Sequence, residues 1–175
     1  YLPFQFFRNM VKYRKMHTPQ QGGRTMEEYY MRRAQELARE AAEQGEIPVG
    51  CVIVQNGRII GEGRNCREKK HSTASHAEME AIAQANAAVG SWRLPGAELY
   101  VTLEPCPMCA GAILNARIGR VYFGARDAAM GAVGGVINLF MEDFPNPPAV
   151  VGGILEQECA AVLKDFFERM RQEKN

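Results

Sequence analysis

Four residues of this chain have the side chains and the spacing needed for metal-assisted hydrolysis. His76 and Glu78 form an H-A-E motif, and Cys106 and Cys109 form a P-C-x-x-C motif. A catalytic zinc site uses three nitrogen, sulfur or oxygen ligands from the protein and leaves one position for water. His76, Cys106 and Cys109 are therefore candidate ligands for one Zn²⁺ ion. Glu78 is a carboxylate that the metal does not need, so we predict it to be the catalytic acid and base beside a zinc-activated water.

Each motif has a simpler interpretation when it is taken alone. A lone C-x-x-C is often a redox pair or half of a zinc knuckle. A lone His at the start of a helix is more often a cap or a core residue than a metal ligand. The combination is more specific, because H-x-E followed by P-C-x-x-C is the signature of zinc-dependent nucleobase deaminases.

The segments that must position these residues alternate between helical and extended patterns. Thr25 with Glu28 forms a capping box before a helix over about 26–43. The later elements are predicted as a strand over 49–54, an Asn56-Gly57 hairpin back through 58–60, a helix over about 76–88, a strand over 99–103, a helix over about 106–115, strands near 121–123 and 150–151, and a final helix striped by Leu155, Cys159, Val162, Phe166 and Met170. This order predicts an α/β fold with one mixed sheet covered by helices.

The helices explain how the ligands could meet. Cys106 and Cys109 are three residues apart at a helix start, which puts both thiols on neighbouring sides of one turn. The positive end of the helix dipole favours their thiolate form. His76 opens the other helix and can reach the same ion from there.

Composition limits the domain organisation. The 175 residues fit one domain with a substantial core, and no apolar run is long enough to span a bilayer. Residues 1–25 carry five basic and no acidic side chains, and we expect a disordered extension there, with a basic arm that touches RNA phosphates as the alternative. The predicted deaminase domain, 26–175, has a net charge of −4. The odd count of five cysteines favours a reducing, cytoplasmic environment.

The flanking sequence resembles the bacterial tRNA-specific adenosine deaminases of the cytidine and deoxycytidylate deaminase superfamily. The similar stretches cover about residues 26 to 173 and are ELYVTLEPCPMCAGAILNARIGRVYFGARD at 98–127, IPVG at 47–50, GEGRN at 61–65, SWRL at 91–94 and DFF at 165–167. The resemblance implies a three-layer α/β/α cytidine-deaminase-like fold with a five-stranded mixed sheet. It implies deamination of adenosine to inosine at the wobble position of tRNA, with one zinc ion per subunit. It also implies binding of the tRNA anticodon loop and a cytoplasmic homodimer, with Gly131–Gly135 in a close-packed loop of the interface.

The resemblance also assigns substrate-binding residues. Asn65 aligns with a residue that contacts the target nucleoside, Asp127 with one near the ribose-phosphate, and Phe167 with an aromatic residue near the anticodon nucleotides. Each has an alternative interpretation from the pattern alone: Asn65 as a turn former, Asp127 as a cap at a strand end, and Phe167 as a core residue, which the pattern favours. The basic segment 64–71 is either a phosphate contact or a solvated loop.

Two other functions remain open. One is deamination of a free nucleobase or nucleotide, such as guanine or a riboflavin precursor; the compact cysteine pair and the Gly-Ala-Arg-Asp run at 124–127 favour the tRNA enzymes instead. The other is a non-catalytic zinc domain that binds RNA. Glu78 argues against that function, because a domain without catalysis has no use for a spare carboxylate beside the metal.

Overall fold

The first helix begins where the capping box predicts. The computed structural model describes residues 25–173. Helix α1 spans Met26–Glu43, and the side-chain oxygen of Thr25 accepts the backbone N–H of Glu28 at 3.2 Å. The predicted disordered extension falls on residues 1–25, of which 1–24 lie outside the described residues, so it stays a prediction.

The predicted mixed sheet of five strands is confirmed. The strands are β1 (Gly50–Gln55), β2 (Arg58–Arg64), β3 (Glu98–Leu103), β4 (Arg120–Ala125) and β5 (Ala149–Gly152), arranged in the order β2-β1-β3-β4-β5. Strand β1 is antiparallel to β2 and β3, whereas β3, β4 and β5 are parallel. Asn56 and Gly57 both have positive φ, which is the conformation that a tight hairpin between β1 and β2 requires.

Helices cover both faces of the sheet and give the expected three layers. The remaining helices are α2 (Arg67–Lys70), α3 (Ala77–Val89), α4 (Pro107–Ala116) and α5 (Glu156–Gln172). Along β1, Cys51 and Ile53 pack into the core under α3 and α4, and Val52 and Val54 pack toward α1. This alternation buries both faces of the central strands. Among residues 25–173, no helix combines the length and the apolar character needed to cross a bilayer.

Glycines in β2 let α3 lie unusually close to the sheet. A Cβ atom on Gly63 would overlap the carbonyl oxygen of Ala77 and lie 2.5 Å from the backbone nitrogen of Ala81. Gly61 meets Ala81 and Ala85 in the same way. The start of α3 is therefore held at a fixed distance from the sheet by backbone packing.

The basic segment 64–71 differs from the predicted loop. It contains the short helix α2, whose first amides are bound by a buried carboxylate: Glu46 accepts the backbone N–H groups of Glu68 and Lys69 at 3.2 and 2.8 Å. A single 3₁₀ turn, Leu139–Met141, was not predicted either.

Strand direction brings distant segments to one edge of the sheet. Because β1 alone is reversed, β2, β3 and β4 all end at the same edge. Asn65 follows β2, Glu104 and Cys106 follow β3, and Asp127 follows β4. A cavity at this edge can thus be lined by loops from three strands.

Candidate active site

Three candidate metal ligands come together at the starts of two helices. His76 immediately precedes α3, Cys106 immediately precedes α4, and Cys109 lies in the first turn of α4. His76 Nδ1 lies 3.7 Å from the Sγ atom of Cys106 and 3.6 Å from that of Cys109. Pro107 occupies the first position of α4, where its fixed φ suits a helix start and no amide is lost.

These distances fit a zinc ion. Tetrahedral zinc with Zn–S of about 2.3 Å and Zn–N of about 2.0–2.1 Å places its sulfur and nitrogen ligands about 3.6 Å apart. The ligand atoms of His76, Cys106 and Cys109 all lie within 4.8 Å of one another. The geometry and the donor set agree with one zinc per subunit.

The site also favours the thiolate form of Cys106, which is the form that binds metal. Hydrogen bonds involving Cys109 and His76 lower the pKa of the Cys106 thiol to about 4, against the opposing effect of burial. Because the thiolate is the species that binds metal, Cys106 is prepared for coordination at neutral pH.

Glu78 is the second residue of α3, two positions after His76, and it lies beside the same cluster. Its side chain is 4% exposed, and it interacts with the thiol of Cys109. Burial raises the pKa of Glu78 to about 7. A carboxyl group with such a pKa can both accept and donate a proton near neutral pH.

A cavity of about 560 Å³ opens onto this cluster. Polar groups enter it from Asn65, Arg67, Thr73 and Asp127. Its remaining walls are largely apolar and are formed by Ile47, Val49, Leu103, Pro107, Met108 and Met130, among others. Such a mixture of apolar walls and a few polar groups is typical of a site that binds a small, partly polar molecule.

The structure brings two of the three predicted substrate residues into the cavity. Asn65 is buried, and its backbone N–H donates to the carbonyl oxygen of Val49 at 3.0 Å. Asp127 also caps its own turn, since its Oδ1 atom accepts the N–H groups of Ala129 and Met130 at 2.9 and 3.0 Å. The capping interpretation of Asp127 is therefore confirmed, whereas its contact with substrate stays a prediction.

Phe167 does not line this cavity. It lies on α5 with its side chain 45% exposed and its ring edge-on to that of Phe166. The core interpretation of Phe167 is wrong, because Phe166 occupies the buried position on that face of the helix.

The basic segment next to the cavity is partly neutralised. Arg64 Nη1 lies 3.1 Å from Glu40, and Lys70 Nζ lies 2.6 Å from Glu80. Arg67 lines the cavity. Residues 67–71 are exposed, so the solvated interpretation holds for them, whereas Arg64 is partly buried and paired.

The site also contains one buried carboxylate that no sequence motif predicted. Glu104 lies between β3 and Cys106, is 2% exposed, and lines the cavity. An acid directly after the apolar strand 99–103 was a signal that could have marked it, but no spacing rule indicated its partners.

Comparison with known proteins identifies the family. Residues 24–125 match the family described as the cytidine and deoxycytidylate deaminase zinc-binding region. The chain is 48% identical to the tRNA-specific adenosine deaminase of Bacillus subtilis (strain 168) over 151 residues, which cover 86% of this chain and 94% of that protein.

Solved structures give the same result. A structure from a study of A-to-I editing by tRNA:A34 deaminases at the wobble position of transfer RNA superposes with a TM-score of 0.76 at 43% identity, covering 77% of this chain and 99% of that one. Guanine deaminase from Bacillus subtilis superposes with a TM-score of 0.54 at 42% identity, covering 57% of this chain and 64% of that one. With its zinc-ligand cluster, its buried glutamate and these relatives, the chain belongs to the tRNA-specific adenosine deaminase family of zinc-dependent deaminases.

Proposed function

We propose that this chain hydrolytically deaminates adenosine to inosine at the wobble position of tRNA. The observation that carries the proposal is one cavity that joins the His76, Cys106 and Cys109 cluster and the buried Glu78 to the polar residues Asn65 and Asp127. The relatives named as tRNA-specific adenosine deaminases support the choice of substrate.

The chemistry follows from the protein groups around the cavity. His76, Cys106 and Cys109 would hold a zinc ion, which would act as a Lewis acid and lower the pKa of a water molecule to about 7. Glu78 accepts one proton from the attacking water and passes it to ring nitrogen N1. It then accepts the proton of the hydroxyl group formed on C6 and passes it to the leaving amino group. Water oxygen bonds to C6, the C6–N6 bond breaks, and the products are inosine and ammonia.

The substrate must present its base outside a stack. Enzymes that modify a base act on an unpaired or extruded nucleotide, and an anticodon loop offers such nucleotides at low cost. The cavity lies at a sheet edge bordered by protein loops. This position leaves room for the RNA nucleotides on either side of the target nucleotide.

We assign substrate contacts to Asn65, Asp127 and Phe167. The first two lie in the cavity wall, and the exposed Phe167 ring can stack on an unpaired base next to the target. Replacing each residue with Ala is expected to raise KM for an anticodon stem-loop. An unchanged KM after one of these replacements would show that the replaced residue does not contact the substrate.

We also propose a homodimer. Five exposed apolar residues lie within the segment 130–144, and we call them the dimer patch: Met130, Val136, Ile137, Met141 and Phe144, with exposures from 47% to 58%. Apolar patches of this kind mark contact surfaces. Met130 belongs both to the patch and to the cavity wall, so a second copy would cover the rim of the cavity. Sedimentation should give a dimer that Ile137→Lys weakens; a monomeric wild-type protein would contradict the assignment.

A cytoplasmic location agrees with the thiol chemistry. All five cysteines of the chain lie within the described residues and are free. Free thiols beside a zinc site are typical of a reducing compartment. Fractionation of cells that produce the protein tests this, and recovery in an oxidising compartment would contradict it.

The choice of substrate is tested by product analysis. The protein is incubated separately with a stem-loop carrying adenosine at the wobble position, with the same stem-loop carrying that adenosine elsewhere in the loop, and with free adenosine, cytidine and guanine. We expect inosine from the first RNA only. Xanthine from guanine without inosine would favour a free-base deaminase, and RNA binding without any product would favour a non-catalytic zinc domain.

The role of Glu78 is tested by a matched pair of variants. Glu78→Gln is expected to keep one zinc per chain and to lose about 10²- to 10⁴-fold in kcat, the usual contribution of a general acid and base. The control is Glu80→Gln, the same change two residues along α3 at a side chain paired with Lys70. Near-normal turnover by Glu78→Gln would remove Glu78 from the mechanism.

A further inference from the structure

Glu104 binds a loop on the far side of the cavity from Asn65. Its Oε1 atom accepts the backbone N–H groups of Val133 and Gly135 at 3.0 and 2.7 Å, and its Oε2 atom accepts that of Asp127 at 3.2 Å. One buried carboxylate thus holds both ends of the segment 127–135, which we call the wall loop. Hydrogen bonds to a charged acceptor are among the stronger ones in proteins.

The wall loop fits closely around this carboxylate. A Cβ atom on Gly131 would lie 2.6 Å from Cδ of Glu104, and one on Gly135 would lie 2.8 Å from its Oε2 atom. The glycines that the resemblance placed at a dimer interface therefore have a reason within the chain itself. Side chains at these positions would displace the carboxylate and also the carbonyl oxygen of Asp127, which either added Cβ atom would overlap.

The backbone next to Glu104 ties the same loop to the metal cluster. The N–H of Ala132 donates to the carbonyl oxygen of Pro105 at 2.8 Å. Glu104, Pro105 and Cys106 are consecutive in sequence. The side chain of Glu104 and the carbonyl oxygen of Pro105 bind the wall loop, and Cys106 is a candidate zinc ligand. The position of the wall loop relative to the metal cluster is therefore fixed by these hydrogen bonds.

We propose that Glu104 is a positioning residue that holds the wall loop, and with it Asp127 and Met130, against the bound nucleotide. Its carboxylate does not take part in proton transfer; it acts through the backbone of the loop. The proposal rests on the function given above, because Asp127 and Met130 are taken as contacts to an RNA nucleotide.

This role predicts a specific change in the kinetic constants. Asp127 and Met130 would contact the nucleotide away from its reacting carbon, equally in the ground state and in the transition state. Loss of such uniform binding raises KM and leaves kcat unchanged. A residue needed only for stability would instead lower the fraction of folded enzyme, which lowers the apparent kcat at constant KM.

Glu104→Gln is the first test. Its amide retains one acceptor for Val133 and Gly135 but turns an N–H₂ group toward the N–H of Asp127. We expect KM for the wobble stem-loop to rise about tenfold, in line with the loss of one charge-assisted hydrogen bond, with kcat within about twofold and zinc retained. The control is Glu98→Gln, the same change at the start of β3, where Glu98 pairs with Arg120 at the surface. Glu98→Gln should leave both constants unchanged.

Gly135→Ala perturbs the wall loop itself, because the added Cβ atom would overlap the carbonyl oxygen of Asp127 and lie 2.8 Å from Oε2 of Glu104. It tests whether the position of the loop sets KM if Glu104→Gln does not fold. Its control is Gly111→Ala on α4, where an added Cβ atom meets nothing within 4 Å. Gly135→Ala should raise KM in the same way, and Gly111→Ala should not.

Amide hydrogen exchange provides a readout that is independent of activity. In Glu104→Gln or Gly135→Ala the amides of the wall loop should exchange faster, whereas those of α3 should not. Unchanged wall-loop exchange, or a lower apparent kcat at constant KM, would overturn the proposal. If the wild-type protein does not deaminate the stem-loop, the proposed function fails, and exchange still decides whether Glu104 holds the loop.

Discussion

The close approach of α3 to β2 makes Gly63→Ala an informative substitution. The added Cβ atom would overlap the carbonyl oxygen of Ala77, the residue between His76 and Glu78, and would lie 2.5 Å from the backbone nitrogen of Ala81. An ordinary contact of this kind begins at 3.4 Å. The start of α3 must therefore move away from the sheet by about 1 Å, since backbone atoms cannot rotate aside as a side chain would.

That displacement acts on chemistry and on stability. A misplacement of about 1 Å in a catalytic group can cost about 10²-fold in rate. Overpacking of a well-packed interior typically costs about 1–3 kcal/mol. We therefore expect Gly63→Ala to lower kcat about 100-fold and the free energy of unfolding by about 1–3 kcal/mol. Zinc content should also fall, because His76 moves relative to Cys106 and Cys109.

The assay combines deamination of the wobble stem-loop, metal analysis and urea unfolding of the zinc-loaded protein. Gly119→Ala is the control, because its added Cβ atom would have its nearest neighbour at 3.7 Å, an ordinary contact. Wild-type stability together with wild-type kcat in Gly63→Ala would refute the reasoning, since it would mean that α3 is not held in place by backbone packing on β2.

Three further predictions concern stability and metal dependence. Thr25→Ala removes the acceptor of the Glu28 amide in the first turn of α1 and should lower the free energy of unfolding by about 1 kcal/mol in urea titrations, whereas Thr25→Ser should not. Arg33 binds Glu62 through two hydrogen bonds, of 2.7 and 2.9 Å, which lower the pKa of that carboxyl group. Arg33→Gln should therefore cost at most about 1 kcal/mol at pH 7 for this partly exposed pair. A carboxyl whose pKa is depressed by folding stabilises the protein above its unfolded pKa, so the difference between the two proteins should shrink as the pH falls below about 4.5, and a constant difference would contradict the pairing. Removal of zinc with a chelator should abolish deamination and lower Tm, and added zinc should restore both; full activity of the metal-free protein would contradict the zinc site.

The sequence predicted the metal cluster and the sheet because both depend on local signals. His76 with Glu78, and Cys106 with Cys109, are neighbours in sequence, so their spacing alone places them on two helix starts. Asn56-Gly57 and the alternation of periods gave the hairpin and the strands to within a few residues. The number of strands and the three layers came from the family resemblance, whereas the order and direction of the individual strands were not predicted.

The contacts of Glu104 and Glu46 could not be predicted in this way. Glu104 binds the amides of Val133 and Gly135, about thirty residues further along the chain, and backbone amides carry no signal of residue type. Glu46 similarly binds α2 across more than twenty residues. The burial of Phe167 could not be predicted because Phe166 and Phe167 are both apolar neighbours on α5. Which of the two is buried depends on the orientation of the helix about its own axis.

The arrangement of the strands has a consequence for how such an enzyme can change during evolution. Separate segments after β2, β3 and β4 reach the cavity from one edge of the sheet, and the metal cluster depends on only the segment after β3 and on the start of α3. An insertion after β2 or β4 would therefore reshape one side of the binding site while the sheet and the metal ligands stay in place. In a redesign of substrate range, the segment after β4 is the one to exchange first, together with its glutamate anchor.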